Sequence, residues 1–176
     1  MAVSTVMLSA RVAGICVIWY TGELTGLGGP LVMLPDFNDD GLLPAGIHLA
    51  TIEEFEERFV FFGRTDRRFR LFESICSLHE AAQRSGIVRQ MLIGGSYVTS
   101  IPEPNDFDCI LVFDASIQGL DLPPTEYNLI AADMARRIYR GDIYPVLDGS
   151  EQADQMIEFF QTTRQKTTVG MVEIEL

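Results

Sequence analysis

Residues Leu92–Asp114, LIGGSYVTSIPEPNDFDCILVFD, decide the fold because they join two apolar segments through a glycine turn. The turn is Gly94-Gly95-Ser96, and nine residues separate it from Asp106. Alternate side chains of a strand point to the same face, so Asp106 and Asp108 should project together. The residues between and beyond them should face the core: Phe107, Cys109, Leu111 and Phe113. The stretch therefore predicts a strand, a tight turn and a second strand that carries paired carboxylates.

The chemistry of this stretch suits a phosphate and a metal ion. Two neighbouring carboxylates repel each other unless a cation lies between them, and Mg²⁺ (or Mn²⁺) prefers such hard oxygen ligands. Gly94 and Gly95 allow a tight turn and the close approach of a ligand. Ser96 adds a hydroxyl, and the backbone N–H groups after it can bind anionic oxygens. The alternative is structural: an ordinary turn, followed by the polar end of a strand.

Working outward, hydrophobic periodicity predicts one α+β domain, with a small mixed sheet and helices packed against it. The predicted helices are Thr51 to about Phe61, Thr65–Ser85, Thr125–Arg140 and Ser150–Thr162. The predicted strands are Ile87–Ile93, Phe107–Phe113, Asp142–Leu147 and Val169–Ile174. Residues 35–48 are expected to be extended and rich in turns.

Local signals support these boundaries. Thr51 and Glu54 have the spacing of a capping box, and Gly86 and Gly141 are expected to end the second and third helices. The third helix is expected to bury one apolar face, formed by Ile130, Met134 and Ile138. Pro145 cannot donate a ladder hydrogen bond, so its strand should lie at an edge or contain a bulge.

Composition limits the classes of partner. The chain has 13 Lys+Arg against 25 Asp+Glu, a formal net charge of −12, which disfavours extended binding to nucleic acid. A nucleotide held by a metal ion and a local arginine cluster stays compatible with this charge. One such cluster is Arg64, Arg67, Arg68 and Arg70. It is read either as a solvated face paired with Glu53–Glu57 or as a contact for a nucleotide or nucleic acid.

Two further features concern compartment and chain organisation. The three cysteines form no CxxC pair, so buried thiols in a reducing, cytoplasmic compartment are expected. Residues 1–32 contain the apolar run Val12–Tyr20, which is shorter than the ~20 residues of a membrane span. We expect this segment to be a poorly ordered extension from an upstream start codon, with the folded domain opening near Met33. A signal-like or membrane-associated segment is the alternative.

The Gly-Gly-Ser turn, its spacer and the D-x-D pair resemble the nucleotidyltransferase superfamily with the DNA polymerase β fold. A closer resemblance, to small uncharacterised bacterial proteins related to that superfamily, covers about Met33 to Leu176. It rests on LLPAGIHLATIEEFEERFV (42–60), GGSYVTSIPEPNDFD (94–108), FFQTTR (159–164) and VGMVEIEL (169–176).

The resemblance implies that Gly94, Gly95 and Ser96 hold a nucleoside triphosphate and that Asp106 and Asp108 are catalytic residues that bind Mg²⁺. It also implies a third carboxylate, both metal ligand and catalytic, on a later strand beside the D-x-D strand. Asp142 in GDIYPVL is the best match. Asp114 is a weaker rival, because six residues of extended strand place it roughly 20 Å from Asp108.

Two functions follow as expectations. The first is Mg²⁺-dependent transfer of a nucleotidyl group from a nucleoside triphosphate to a hydroxyl of a protein, an RNA end or a small molecule. The small size favours a protein acceptor, and minimal members of the superfamily act as antitoxins that modify a partner toxin. The second is a catalytically inactive interaction module that keeps the fold and binds a partner.

Overall fold

The computed structural model describes residues 7–12, 15–20, 34–163 and 166–176. The chain divides into two compact units, Met1–Leu31 and Val32–Leu176. In the first unit, β1 (Met7–Val12) pairs antiparallel with β2 (Ile15–Tyr20). The rest of this unit lies outside the described residues, and the expected disorder of residues 1–32 stays a prediction.

The second unit contains a five-stranded mixed sheet with the order β3-β7-β4-β5-β6. Its strands are β3 (Gly46–Ala50), β4 (Val88–Gly94), β5 (Asp108–Phe113), β6 (Asp142–Leu147) and β7 (Gly170–Ile174). The pairs β3–β7 and β5–β6 are parallel, whereas β7–β4 and β4–β5 are antiparallel. The α+β class and the four predicted strands are confirmed. Pro145 lies on the edge strand β6, as expected, whereas β3 was not predicted.

Five helices accompany the sheet in the part of this unit that the structure describes. They are α1 (Ile52–Phe59), α2 (Arg67–Ser85), α3 (Pro124–Ile130), α4 (Ala132–Tyr139) and α5 (Glu151–Phe160). Thr51 and Glu54 form both hydrogen bonds of the capping box at the start of α1. Gly86 ends α2 with a left-handed backbone, φ 63°. The two helix ends with the clearest local signals are therefore confirmed.

The two faces of the sheet are covered unequally. The larger core contains the predicted inward-facing residues of β5 and its approach: Phe107, Cys109, Leu111 and Phe113. The alternate residues Ile110 and Val112 belong to a smaller cluster on the other face, with α5 residues such as Ala153 and Phe160. Asp108 precedes Ile110 by two residues, so it projects to the α5 face, at the end of the strand.

The predicted single helix Thr125–Arg140 is wrong, because Ala131 has an extended backbone (φ −77°, ψ 97°) and separates α3 from α4. This break changes the phase of the helical faces. Leu129 and Ala135 are the buried residues, whereas Met134 and Ile138 of the predicted face are 39% and 47% exposed.

The prediction that Gly141 ends the third helix is also wrong. Arg140 takes the left-handed conformation that ends α4, with φ 57°. Gly141 is needed for a different reason: a Cβ there would lie 2.2 Å from the Phe107 ring. The glycine lets the chain pass over this ring immediately before β6 begins at Asp142.

Candidate functional site

The glycine turn meets the carboxylate of Asp108. In the antiparallel pairing of β4 with β5, Gly94 is opposite Asp108. Gly95 follows with φ +69°, and a Cβ at Gly95 would lie 1.9 Å from Asp108 Oδ2. The carboxylate therefore lies directly against the backbone of the turn, where both the conformation and the space require glycine.

The third predicted carboxylate lies on the neighbouring strand. In the parallel pairing of β5 with β6, Asp142 is the register partner of Asp108. The Asp142 N–H donates to the Phe107 carbonyl over 2.9 Å, which extends the ladder by one residue. The predicted placement of the Asp142 strand beside the Asp108 strand is thus confirmed, while the role of Asp142 stays a prediction.

The negative charges of Asp106 and Asp142 act on Asp108. Burial raises the pKa of Asp108 to about 6, and the negative charges of Asp106 and Asp142 add to this effect. Tyr144, two residues after Asp142, also has a raised pKa, caused by burial and by the charges of Asp108 and Asp142. The end of the sheet is therefore a site of concentrated negative charge that a cation would relieve.

Arg136 contacts the candidate site, and the sequence pattern did not predict this contact. Arg136 Nη2 forms an ion pair with Asp142 Oδ1, and this contact raises the pKa of Arg136. The positive charge of Arg136 also opposes the rise in the pKa of Asp108. Three arginines near the end of α4 precede Asp142 in sequence, which was a usable signal: Arg136, Arg137 and Arg140. Their orientation depends on the helix break at Ala131, which the sequence pattern does not show.

The donor set suits a hard divalent cation, because three carboxylates offer only oxygen ligands. In residues 34–163 and 166–176, however, no three acidic, histidine or cysteine side chains are grouped tightly enough to hold a metal ion as they stand. Asp142 is ion-paired with Arg136 in this arrangement. Metal ligation by all three aspartates therefore requires a rearrangement of side chains.

The other two residues of the turn have different surroundings. A Cβ at Gly94 would lie 3.2 Å from Met171 Cε and 3.4 Å from Phe160 Cδ1, so this glycine packs beneath α5. Ser96 is half-buried in the short 3-10 turn Gly95–Val98. Its carbonyl accepts a hydrogen bond from the Thr99 hydroxyl over 2.8 Å. Gly95 and Ser96 are therefore the partly exposed residues of the turn, whereas Gly94 is buried.

The arginine cluster at the start of α2 does not form a uniform solvated face. Arg68 is fully buried, and its guanidinium donates to four backbone carbonyls: Phe59, Tyr97, Thr99 and Ile101. Arg67 is exposed and donates to the carbonyl of Asn105 over 3.0 Å. These arginines fix the loop between the glycine turn and Asp106, which is a structural role.

Asp114 is separated from the site by the length of β5. Its carboxylate forms an ion pair with Arg89 and accepts a hydrogen bond from the Ser116 N–H over 2.8 Å. The side chain of Ser116, then its N–H, and then Arg89 lower the pKa of Asp114 to about 2. Asp114 therefore stays the weaker rival of Asp142, and the identity of the third carboxylate stays a prediction.

A cavity of about 350 Å³ opens beside α2, α3 and α4, and its lining includes Arg84, Asn128 and Tyr139. None of the predicted site residues lines this cavity. Among the helices of the described residues, none combines the length and the apolar character needed to cross a membrane.

Comparison with known proteins identifies the family. A family model matches residues 35–175, and the chain belongs to this family, DUF6932, a family of unknown function. Neither the curated proteins nor the solved structures that were compared with the chain include a match. The family carries no assigned activity, so the resemblance to nucleotidyltransferases stays a prediction.

Proposed function

We propose that this protein is a Mg²⁺-dependent nucleotidyltransferase with a nucleotidyltransferase-like fold. The observation that carries the proposal is the contact of the Gly95 turn with Asp108, together with the register of Asp108 and Asp142 on adjacent strands. A turn that can receive phosphate oxygens and carboxylates that can hold a metal ion meet at one end of the sheet. Positioning and charge neutralisation are most of what phosphoryl-type transfer requires of a protein.

In the proposed reaction, an acceptor hydroxyl oxygen attacks the α-phosphorus of a nucleoside triphosphate. The new O–P bond forms as the bond to the β-phosphate oxygen breaks, and pyrophosphate leaves. Gly95 and Ser96 receive the triphosphate, and Asp142 orients the hydroxyl and accepts its proton. Asp106, Asp108 and Asp142 would hold Mg²⁺, which supplies neutralisation of the phosphate charge when bound.

The acceptor in this proposal is a protein side chain, as in an antitoxin that modifies its partner toxin in the cytoplasm. The net charge of −12 disfavours an extended nucleic-acid acceptor.

The test is transfer of label. Purified protein, Mg²⁺ and each α-³²P-labelled nucleoside triphosphate would be incubated with extract of the source cells, and labelled bands would be compared with those of Asp108→Asn. We expect a band that requires wild-type protein and Mg²⁺. Identical labelling with Asp108→Asn would contradict the proposed role of Asp108.

The second candidate is an inactive interaction module of the same fold. The ion pair between Arg136 and Asp142 favours it, because a guanidinium already neutralises one carboxylate of the site. Thermal unfolding with ATP or CTP and Mg²⁺ separates the two candidates. A metal-dependent rise in the melting temperature supports the enzyme, and no response supports the module.

A further inference from the structure

Arg136 lies where the proposed site needs a cation. Its guanidinium is ion-paired with Asp142, and its charge acts on Asp108 as well. The Arg136 side chain is 60% exposed, whereas that of Asp142 is 29% exposed. The arginine therefore approaches the carboxylates from solvent and is free to move without disturbing the core.

The contact is more than an isolated surface ion pair, because Asp142 is the register partner of Asp108 on the adjacent strand. The charge of Arg136 therefore acts on both carboxylates, and it opposes the rise in the pKa of Asp108. Arg136 thus serves as an internal counter-ion for Asp142 and Asp108. A divalent cation at the same carboxylates would compete with it for Asp142, since both are cations that bind the same oxygen.

We infer that Arg136 is a triphosphate-binding residue that Asp142 holds in place until metal and nucleotide arrive together. This inference rests on the proposed function. When the carboxylates bind a metal ion, the guanidinium leaves Asp142 and its planar N–H groups bind phosphate oxygens, for which they are well matched. The guanidinium thus exchanges its ion pair with Asp142 for contacts with the phosphate oxygens. This exchange couples metal binding to nucleotide binding.

We expect Arg136→Ala to change the affinities for two ligands in opposite directions. Arg136→Ala should bind Mn²⁺ alone more tightly, on the order of threefold to tenfold, because a competing charge is removed from the carboxylates. The same variant should bind inorganic tripolyphosphate more weakly in saturating Mn²⁺, on the order of tenfold, because a charged donor to phosphate is removed. A residue that merely braces Asp142 would not produce this reversal of sign.

Mn²⁺ affinity is measured from the electron paramagnetic resonance signal of free Mn²⁺, and tripolyphosphate affinity by titration calorimetry. Arg137→Ala is the matched control, since Arg137 is also exposed and follows on the same helix. It should shift both affinities much less than Arg136→Ala. Arg136→Gln keeps a polar side chain of similar length and should behave like Arg136→Ala. Unfolding curves of each variant verify that it is folded.

The outcomes distinguish the inference from the proposed function. If wild-type protein binds Mn²⁺ and tripolyphosphate but Arg136→Ala does not tighten Mn²⁺ binding relative to Arg137→Ala, the inference is overturned and the proposed function stands. If neither wild type nor Arg136→Ala binds Mn²⁺, both fail. Tight Mn²⁺ binding seen only in Arg136→Ala supports the internal counter-ion directly.

Discussion

At the scale of single residues, two separate features of the structure require glycine at position 95. Its φ of +69° disfavours any side chain, and its missing Cβ leaves room for Asp108 Oδ2. Gly119 has a similar φ of +79°, but a Cβ there would meet nothing within 4 Å. A comparison of substitutions at the two glycines therefore distinguishes the cost of backbone strain from the cost of displacing the Asp108 carboxylate.

We expect Gly119→Ala to lower the free energy of unfolding by about 1–2 kcal/mol, the cost of a left-handed backbone. Gly95→Ala should cost more, because the new methyl group must also move Asp108, and it should abolish Mg²⁺-dependent nucleotide binding. Urea unfolding and calorimetry measure the two effects. Equal stability losses and retained nucleotide binding in Gly95→Ala would show that the turn does not constrain Asp108.

Asp108 makes the stability of the protein depend on pH. A carboxyl whose pKa is about 6 in the folded chain and about 3.9 in the unfolded chain binds its proton more tightly when folded. Its ionisation therefore costs folding free energy. The cost is absent below about pH 4, grows between pH 4 and 6, and is complete above pH 6.

Asp108→Asn should accordingly stabilise the ligand-free protein at pH 8 by about 1–2 kcal/mol, allowing for solvent screening of this partly exposed group. This corresponds to about 2–8 °C in melting temperature for a chain of this size. The gain should vanish at pH 4. Asp148→Asn, at an exposed position beyond the other end of β6, is the control. Destabilisation by Asp108→Asn at pH 8 would mean that Asp108 is a structural residue.

At the scale of elements, Arg68 connects α2 to the loop that follows the glycine turn. It donates five hydrogen bonds to four carbonyls, and the Tyr97 hydroxyl donates to the Arg68 carbonyl over 3.0 Å. Burial lowers the pKa of Arg68 to about 10, so the guanidinium stays charged at neutral pH. The segment between Ser96 and Asp106 is thus held by a buried cation rather than by strand pairing.

We expect Arg68→Met to cost about 3 kcal/mol or more, since several buried carbonyls lose their donor. Tyr97→Phe removes one hydrogen bond and should cost about 1 kcal/mol. Urea unfolding of both variants gives the comparison. A loss below 1 kcal/mol in Arg68→Met would show that water replaces the guanidinium and that the loop is held by other contacts.

The elements differ in how far the sequence predicts them. Local chemistry specifies the start of α1 and the end of α2. Thr51 and Glu54 form the capping box of α1, and Gly86 is the C-cap of α2. The break at Ala131 has no glycine or proline beside it, so the local sequence does not predict it. β3 is short, and it pairs in parallel with β7, which is about 120 residues away in sequence.

The candidate site divides in the same way. The positions of Gly95 and Asp108 follow from spacing and from the alternation of a strand. Asp106 precedes β5, so its expected projection beside Asp108 from the same strand stays a prediction. The register of Asp142 beside Asp108 is predicted only with the help of the family resemblance. The ion pair of Arg136 with Asp142 depends on how α4 packs against β6, which sequence periodicity alone does not give.

At the scale of the whole molecule, the second unit contains its own sheet and core. The family match, residues 35–175, falls within it. A variant that begins at Val32 should therefore unfold cooperatively, with a melting temperature within about 4 °C of the full chain, a change worth about 1 kcal/mol. Differential scanning calorimetry measures this. Loss of the cooperative transition would show that residues 1–31 are part of the fold.

We propose above all that Asp106, Asp108 and Asp142 form a metal-dependent nucleotide site with the glycine turn. Calorimetric titration of the four Mg²⁺–nucleoside triphosphates into wild-type protein and into Asp108→Asn tests it most directly. We expect saturable 1:1 binding of at least one nucleotide, and we expect this binding to be lost when Mg²⁺ is removed and in Asp108→Asn. Absence of binding by all four to folded wild-type protein, or equal binding by Asp108→Asn, would contradict the claim.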